Sequence, residues 1–104
     1  MSVLLELTMF PTDKGESVSA YVSRIIAMID ERNLEYRLGP MSTTIEFPDL
    51  AGALAVVKEA YDLLEPDCAR VYATIKLDIR KGRTARLAGK VESVEKRLGR
   101  KIRT

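Results

Sequence analysis

Ser42, Thr43, Thr44 and Glu46 put three hydroxyls and a carboxylate into one short segment, Tyr36–Glu46, which reads Y-R-L-G-P-M-S-T-T-I-E. A strand shows its side chains to alternate faces, so Met41, Thr43 and Ile45 point one way and Ser42, Thr44 and Glu46 the other. Hydroxyls and a single acid near the middle of a small sheet suit a polar ligand better than a reaction. Histidine is absent and cysteine occurs once, at Cys68. The commonest general base and metal ligand is therefore missing, and a Cys/His zinc site or a Cys–His nucleophile is excluded. Carboxylate chemistry and an oxygen-ligand site for calcium or magnesium stay open. No Gly-x-Gly-x-x-Gly or P-loop string occurs, so nucleotide phosphate has no sequence cradle.

A second polar group lies at Gly15–Val22, G-E-S-V-S-A-Y-V, where a strand hands over to a helix. Ser17 or Ser19 there reads as the helix cap. Free N–H groups at such a terminus also favour an anion or a polar heterocycle. Met9, Met28 and Met41 are adaptable enough to line a pocket, although methionine is more often core filler.

The elements that must position these residues follow from period and breakers. Val3–Met9 reads as a strand, with Phe10-Pro11 ending it. Val18, Tyr21, Val22, Ile25, Ile26 and Ile29 recur at helical spacing up to Asn33. Leu34–Leu38 alternates as a second strand, Gly39-Pro40 turns, and Met41–Phe47 is the third. Pro48-Asp49 opens a helix whose buried stripe reads Leu50, Ala53, Leu54, Val57, Tyr61 and Leu64, and Pro66 stops it. Val71–Ile79 alternates as a fourth strand. The order β-α-β-β-α-β predicts an α+β, ferredoxin-like sandwich: a four-stranded antiparallel sheet with helices on one face. Strands one and three are expected in the centre. Leu87, Val91, Val94 and Leu98 mark a C-terminal helix with a narrow apolar seam that packs against one partner, this domain or a neighbouring subunit, the neighbour being slightly favoured because the β-α-β-β-α-β body is already complete.

That arrangement leaves one sheet face open and puts Glu6, Thr8, Thr44, Glu46, Tyr72, Thr74, Lys76 and Asp78 on it. Cross-strand pairs on such a face contribute about 0.2–1 kcal/mol each. RNA-recognition modules share the topology but stack bases on central-strand aromatics. Here the equivalent positions hold Glu6, Thr8, Thr44 and Glu46, and acids repel phosphate, so nucleic-acid reading is disfavoured. A hydrolase would need Glu6 and Glu46 with separated pKa values and further groups around them, which nothing supplies.

With 104 residues, 46% apolar and 31% charged, the chain is expected to form one globular domain over residues 1–104. No run approaches the roughly 20 apolar residues of a membrane span. The N-terminus lacks the pattern of a secretory signal, and a lone cysteine fits a reducing cytoplasm. Charge is uneven: Lys and Arg number 7 against 13 Asp and Glu up to Ile79, then 10 against 2 from Arg80 onward. The basic segment 80–104 could meet nucleic acid, but reads better as a partner for acidic surfaces of its own or a neighbouring subunit.

The segments S-V-S-A-Y-V (Ser17–Val22), Tyr36–Glu46, V-Y-A-T-I-K-L-D-I-R (Val71–Arg80) and K-V-E-S-V-E (Lys90–Glu95) together resemble the small thiamine-binding protein family. They occur in register and span nearly the whole chain. The resemblance implies a ferredoxin-like homo-oligomer, a tetramer built as a pair of dimers with sheet faces and the last helix at the contacts. It also implies non-catalytic binding of thiamine or its hydroxymethylpyrimidine precursor, with no cofactor. The family pattern transfers to Ser17, Ser19, Met41, Thr43, Glu46, Lys76 and Asp78. Thr43, Ser17 and Ser19 suit an aminopyrimidine, Glu46 a thiazolium cation, and Met41 a ring face. Strict alternation, however, sets Thr43 and Glu46 on opposite sides of the sheet. The alternative is an assembly or regulatory module without a ligand, whose open face makes subunit contacts.

Overall fold

In the computed structural model, which describes all residues from Met1 to Thr104, the expected order is present: β1 (Ser2–Pro11), α1 (Ser19–Glu31), β2 (Glu35–Leu38), β3 (Thr43–Phe47), α2 (Leu50–Leu64), β4 (Val71–Arg80) and α3 (Arg86–Leu98). The sheet is antiparallel with strand order β2-β3-β1-β4, so β1 and β3 are central, the ferredoxin-like arrangement. Its core follows the period-two pattern of β1, where Val3, Leu5, Leu7 and Met9 are buried. Ile45 and Phe47 of β3, Ile25, Met28 and Ile29 of α1, and Ala53, Val56, Ala60 and Leu64 of α2 complete it.

Several boundaries shift for identifiable reasons. β1 runs on through Pro11 because all ten of its residues pair with β4, from Ser2 opposite Arg80 to Pro11 opposite Val71. β3 starts at Thr43 rather than Met41, since residues 39–42 form a turn closed by the Gly39 amide donating to the Ser42 carbonyl at 2.9 Å. The cap of α1 is Val18, with no side-chain hydrogen bond, so neither Ser17 nor Ser19 caps it. Ser19 is the first helical residue, and its carbonyl accepts from the Ser23 hydroxyl at 2.7 Å. Asp49 does cap α2, accepting from the Gly52 amide at 2.7 Å. The stripe of α2 is also rotated from expectation. Ala53, Val56, Ala60 and Leu64 are inside, whereas Leu50, Leu54 and Tyr61 are exposed.

α3 departs most from its sequence reading. Its first turn is fastened to the chain's own open sheet face, beside β1 and β3, instead of being free for a neighbour. Leu87, Val91 and Val94 are half-buried, while Leu98 is exposed. No helix is long and apolar enough to cross a membrane.

Candidate functional site

Because β3 begins at Thr43, its ladder with β1 ends at the pair Leu7–Thr43, and β1 continues past it towards Pro11 without a neighbour on that side. The notch is walled by α1 and by the β2–β3 turn. It encloses a cavity of about 400 Å³, inside the range of roughly 300–1,000 Å³ typical of small-molecule sites. Leu7 and Met9 form the floor, Val18, Val22, Ile25 and Ile26 of α1 one wall, and Leu38–Ser42 the other.

Polar groups are few and stand around this apolar lining. Thr43 is buried at the notch. The turn is held down by two hydrogen bonds: Thr8 Oγ1 donates to the Met41 carbonyl at 3.1 Å, and the Ser42 hydroxyl donates to Glu6 Oε2 at 3.1 Å. Met41 itself is 84% exposed and overhangs the cavity. Glu16, just before α1, adds an exposed carboxylate. An apolar slot with one internal hydroxyl and one peripheral anion can hold a flat heterocycle and balance a positive charge on it.

The structure brings together only some of the residues singled out by sequence. Met41 and Thr43 line the cavity. Ser17 and Ser19 are exposed beside the lining residues Glu16 and Val18, but outside the lining themselves. Glu46, Lys76 and Asp78 lie on the other face of the sheet, as alternation requires.

On that face Glu46 caps α3. Its Oε2 accepts from the Ser2 hydroxyl at 2.6 Å and the Arg86 amide at 2.9 Å, and its Oε1 from the Leu87 amide at 3.1 Å. The cap compensates for Ala85, which precedes the helix at φ 54° and has no side-chain oxygen to offer. Burial pushes the Glu46 pKa up. The Arg86 amide, the Ser2 hydroxyl, the Leu87 amide and the Arg86 charge outweigh it, and the carboxyl ends below its ordinary range. Arg86 completes the joint with its side chain only 8% exposed, donating to Ser2 Oγ at 3.0 Å, the Ser2 carbonyl at 2.9 Å and Asp78 Oδ2 at 2.9 Å. Lys76 sits 3.8 Å from Glu6.

Sequence reasoning missed Glu16 and Arg86 as functional positions. Glu16 sat inside a segment valued for its serines. Arg86 was one of ten basic residues after Ile79, and no pattern distinguishes the one that becomes buried.

Comparison with known proteins identifies the family and relatives of the same fold. A family model described as "Thiamine-binding protein" matches residues 5–95. The chain is 33% identical over 98 residues to a UPF0045 protein of Methanothermobacter thermautotrophicus, covering 92% of this chain and 99% of the relative. It is 35% identical over 98 residues to a UPF0045 protein of Mycobacterium bovis, covering 94% and 96%. A crystal structure from Methanocaldococcus jannaschii superposes with a TM-score of 0.79 at 31% identity over 89% of this chain and 95% of that one. A Thermotoga maritima protein, provisionally assigned to thiamine biosynthesis or salvage, superposes with a TM-score of 0.77 over 90% and 99%; at 22% identity it speaks for the fold alone.

Proposed function

Since the chain belongs to the thiamine-binding protein family, we propose that its notch cavity binds thiamine or the hydroxymethylpyrimidine precursor, without chemistry of its own, in a cytoplasmic homo-oligomer assembled as a tetramer. The observation that carries the reading is the cavity of about 400 Å³ with apolar walls, the Thr43 hydroxyl inside and the Glu16 carboxylate outside. Thr43 offers the pyrimidine a donor and acceptor, Met41 packs on a ring, and Glu16 balances the thiazolium cation. Ser17 and Ser19, next to Glu16, are placed to reach a ligand that extends from the cavity. Glu46, Lys76 and Asp78 then serve the sheet and α3 rather than the ligand. A binding role also suits the two open-face carboxylates, since Glu46 caps a helix and Glu6 accepts from Ser42.

Calorimetry with thiamine and, separately, with hydroxymethylpyrimidine tests this. Both are expected to release or absorb heat on binding. Glu16→Gln is expected to weaken thiamine by up to about fivefold, in keeping with one solvent-exposed charge pair, and to leave the uncharged pyrimidine unaffected. Absence of heat and of any thermal shift at millimolar ligand overturns the reading.

A further inference from the structure

The cavity wall formed by the β2–β3 turn is held from the far side of the sheet. Were the β1–β3 ladder to run on beyond Leu7–Thr43, its register would set Thr8 opposite Ser42 and Met9 opposite Met41. Backbone pairing stops instead, and two side chains of β1 take its place. Thr8 Oγ1 donates to the Met41 carbonyl, and Glu6 Oε2 accepts from the Ser42 hydroxyl. Leu7 and Met9 are buried in the core, so alternation sends Glu6 and Thr8 to the open face. Both bonds therefore draw the turn towards the open face and away from α1, and the space left above Leu7 and Met9 is the cavity. The Gly39–Ser42 hydrogen bond is internal to the turn and does not tie it to β1.

We infer that Glu6, acting through Ser42, is a positioning residue for the cavity: its carboxylate and the Thr8 hydroxyl form a latch that keeps the β2–β3 turn off the cavity floor, so that a ligand meets a preformed slot. Thr8 and Ser42 line the cavity and Glu6 does not, so the influence of Glu6 on a ligand passes through the turn. The second oxygen of Glu6, Oε1, lies 3.8 Å from Lys76 Nζ, whose side chain is 74% exposed. An exposed pair at that distance is worth little. The 3.1 Å bond to Ser42 therefore carries the latch, and Lys76 only steadies the carboxylate. Released, the turn covers the apolar floor of Leu7 and Met9, a move favoured by burial of Met41, which is 84% exposed in the latched position. A slot that is open only part of the time binds with its affinity reduced by that fraction.

This deepens the proposed function and rests on it for the ligand, though not for the turn. The probe is hydroxymethylpyrimidine, which is uncharged, so that losing the Glu6 charge does not act on it at a distance. Calorimetry on the full chain is expected to show about threefold weaker binding for Glu6→Ala and for Ser42→Ala. Glu6→Gln is expected to bind as wild type, because its amide oxygen still accepts from Ser42. The double variant Glu6→Ala/Ser42→Ala is expected to lose no more than Ser42→Ala alone, as two partners in one bond must. A merely structural role would lower the melting temperature without this pattern, and Ser42→Ala keeps β1 intact should Glu6→Ala weaken the strand. Methyl NMR of the ligand-free chain reads the turn directly. Glu6→Ala is expected to bring the Met41 methyl into cross-relaxation contact with Met9, while Met28, buried outside the cavity lining, is unchanged. Undiminished binding in Glu6→Ala, a Gln variant as weak as the Ala one, independent losses in the double variant, or Met41 and Met9 signals as in wild type overturns the inference. If the wild-type chain gives no heat with either ligand, the proposed function falls and the methyl signals still decide the latch.

Discussion

Thr43 shows how one side chain divides its work between fold and site. It occupies the last rung of the β1–β3 ladder, buried beside Leu7, and its hydroxyl stands where apolar lining meets turn. Thr43→Val keeps the shape and removes the hydroxyl. Ligand affinity is expected to fall about tenfold, the worth of one hydrogen bond, while the melting temperature barely moves. Calorimetry beside a thermal melt separates the two; a large loss of stability with unchanged affinity would assign the hydroxyl to the fold. Cys68 is different in kind. Burial and the neighbouring Asp67 and Asp13 charges push its thiol pKa up, which favours the protonated thiol.

At the scale of elements, α3 depends on Glu46. A helix opening after Ala85 has no cap of its own, and β3 supplies one across the sheet. The Glu46 pKa is depressed in the folded chain, so its contribution is complete above the ordinary glutamate value of about 4.3. It is lost as pH falls through the lower folded value. The hydrogen-exchange protection factors of the α3 amides are expected to fall over that acid interval, and Glu46→Gln is expected to lower them at neutral pH at a cost of about 1–2 kcal/mol. Equal protection of α3 in the variant would mean that Arg86 alone holds the helix. The helix was legible from the seam Leu87–Leu98, but its docking was not. A seam reports that an apolar strip needs cover; the cover is decided by where Glu46 and Ser2 emerge on the sheet.

For the whole molecule, the two sides of the sheet carry separate tasks. The helix side holds the core and the cavity, and the other side holds α3 through Arg86, Ser2 and Asp78. β4 joins both sides at an uncovered edge.

The order of strands and helices, the central places of β1 and β3, and the inward face of β1 were decided by local period, prolines and turn residues, because those act over a few neighbouring positions. The opposition of Thr43 and Glu46 was likewise written in strand alternation. Three things awaited the tertiary structure: the notch where β3 stops short of β1, the rotation of α2 that exposes Leu54 and Tyr61, and the return of α3 onto its own sheet. Each depends on residues distant in the chain meeting at a fixed separation, such as Leu7 with Thr43 and Ser2 with Arg86. Spacing along a sequence carries no measure of that separation until the sheet sets it.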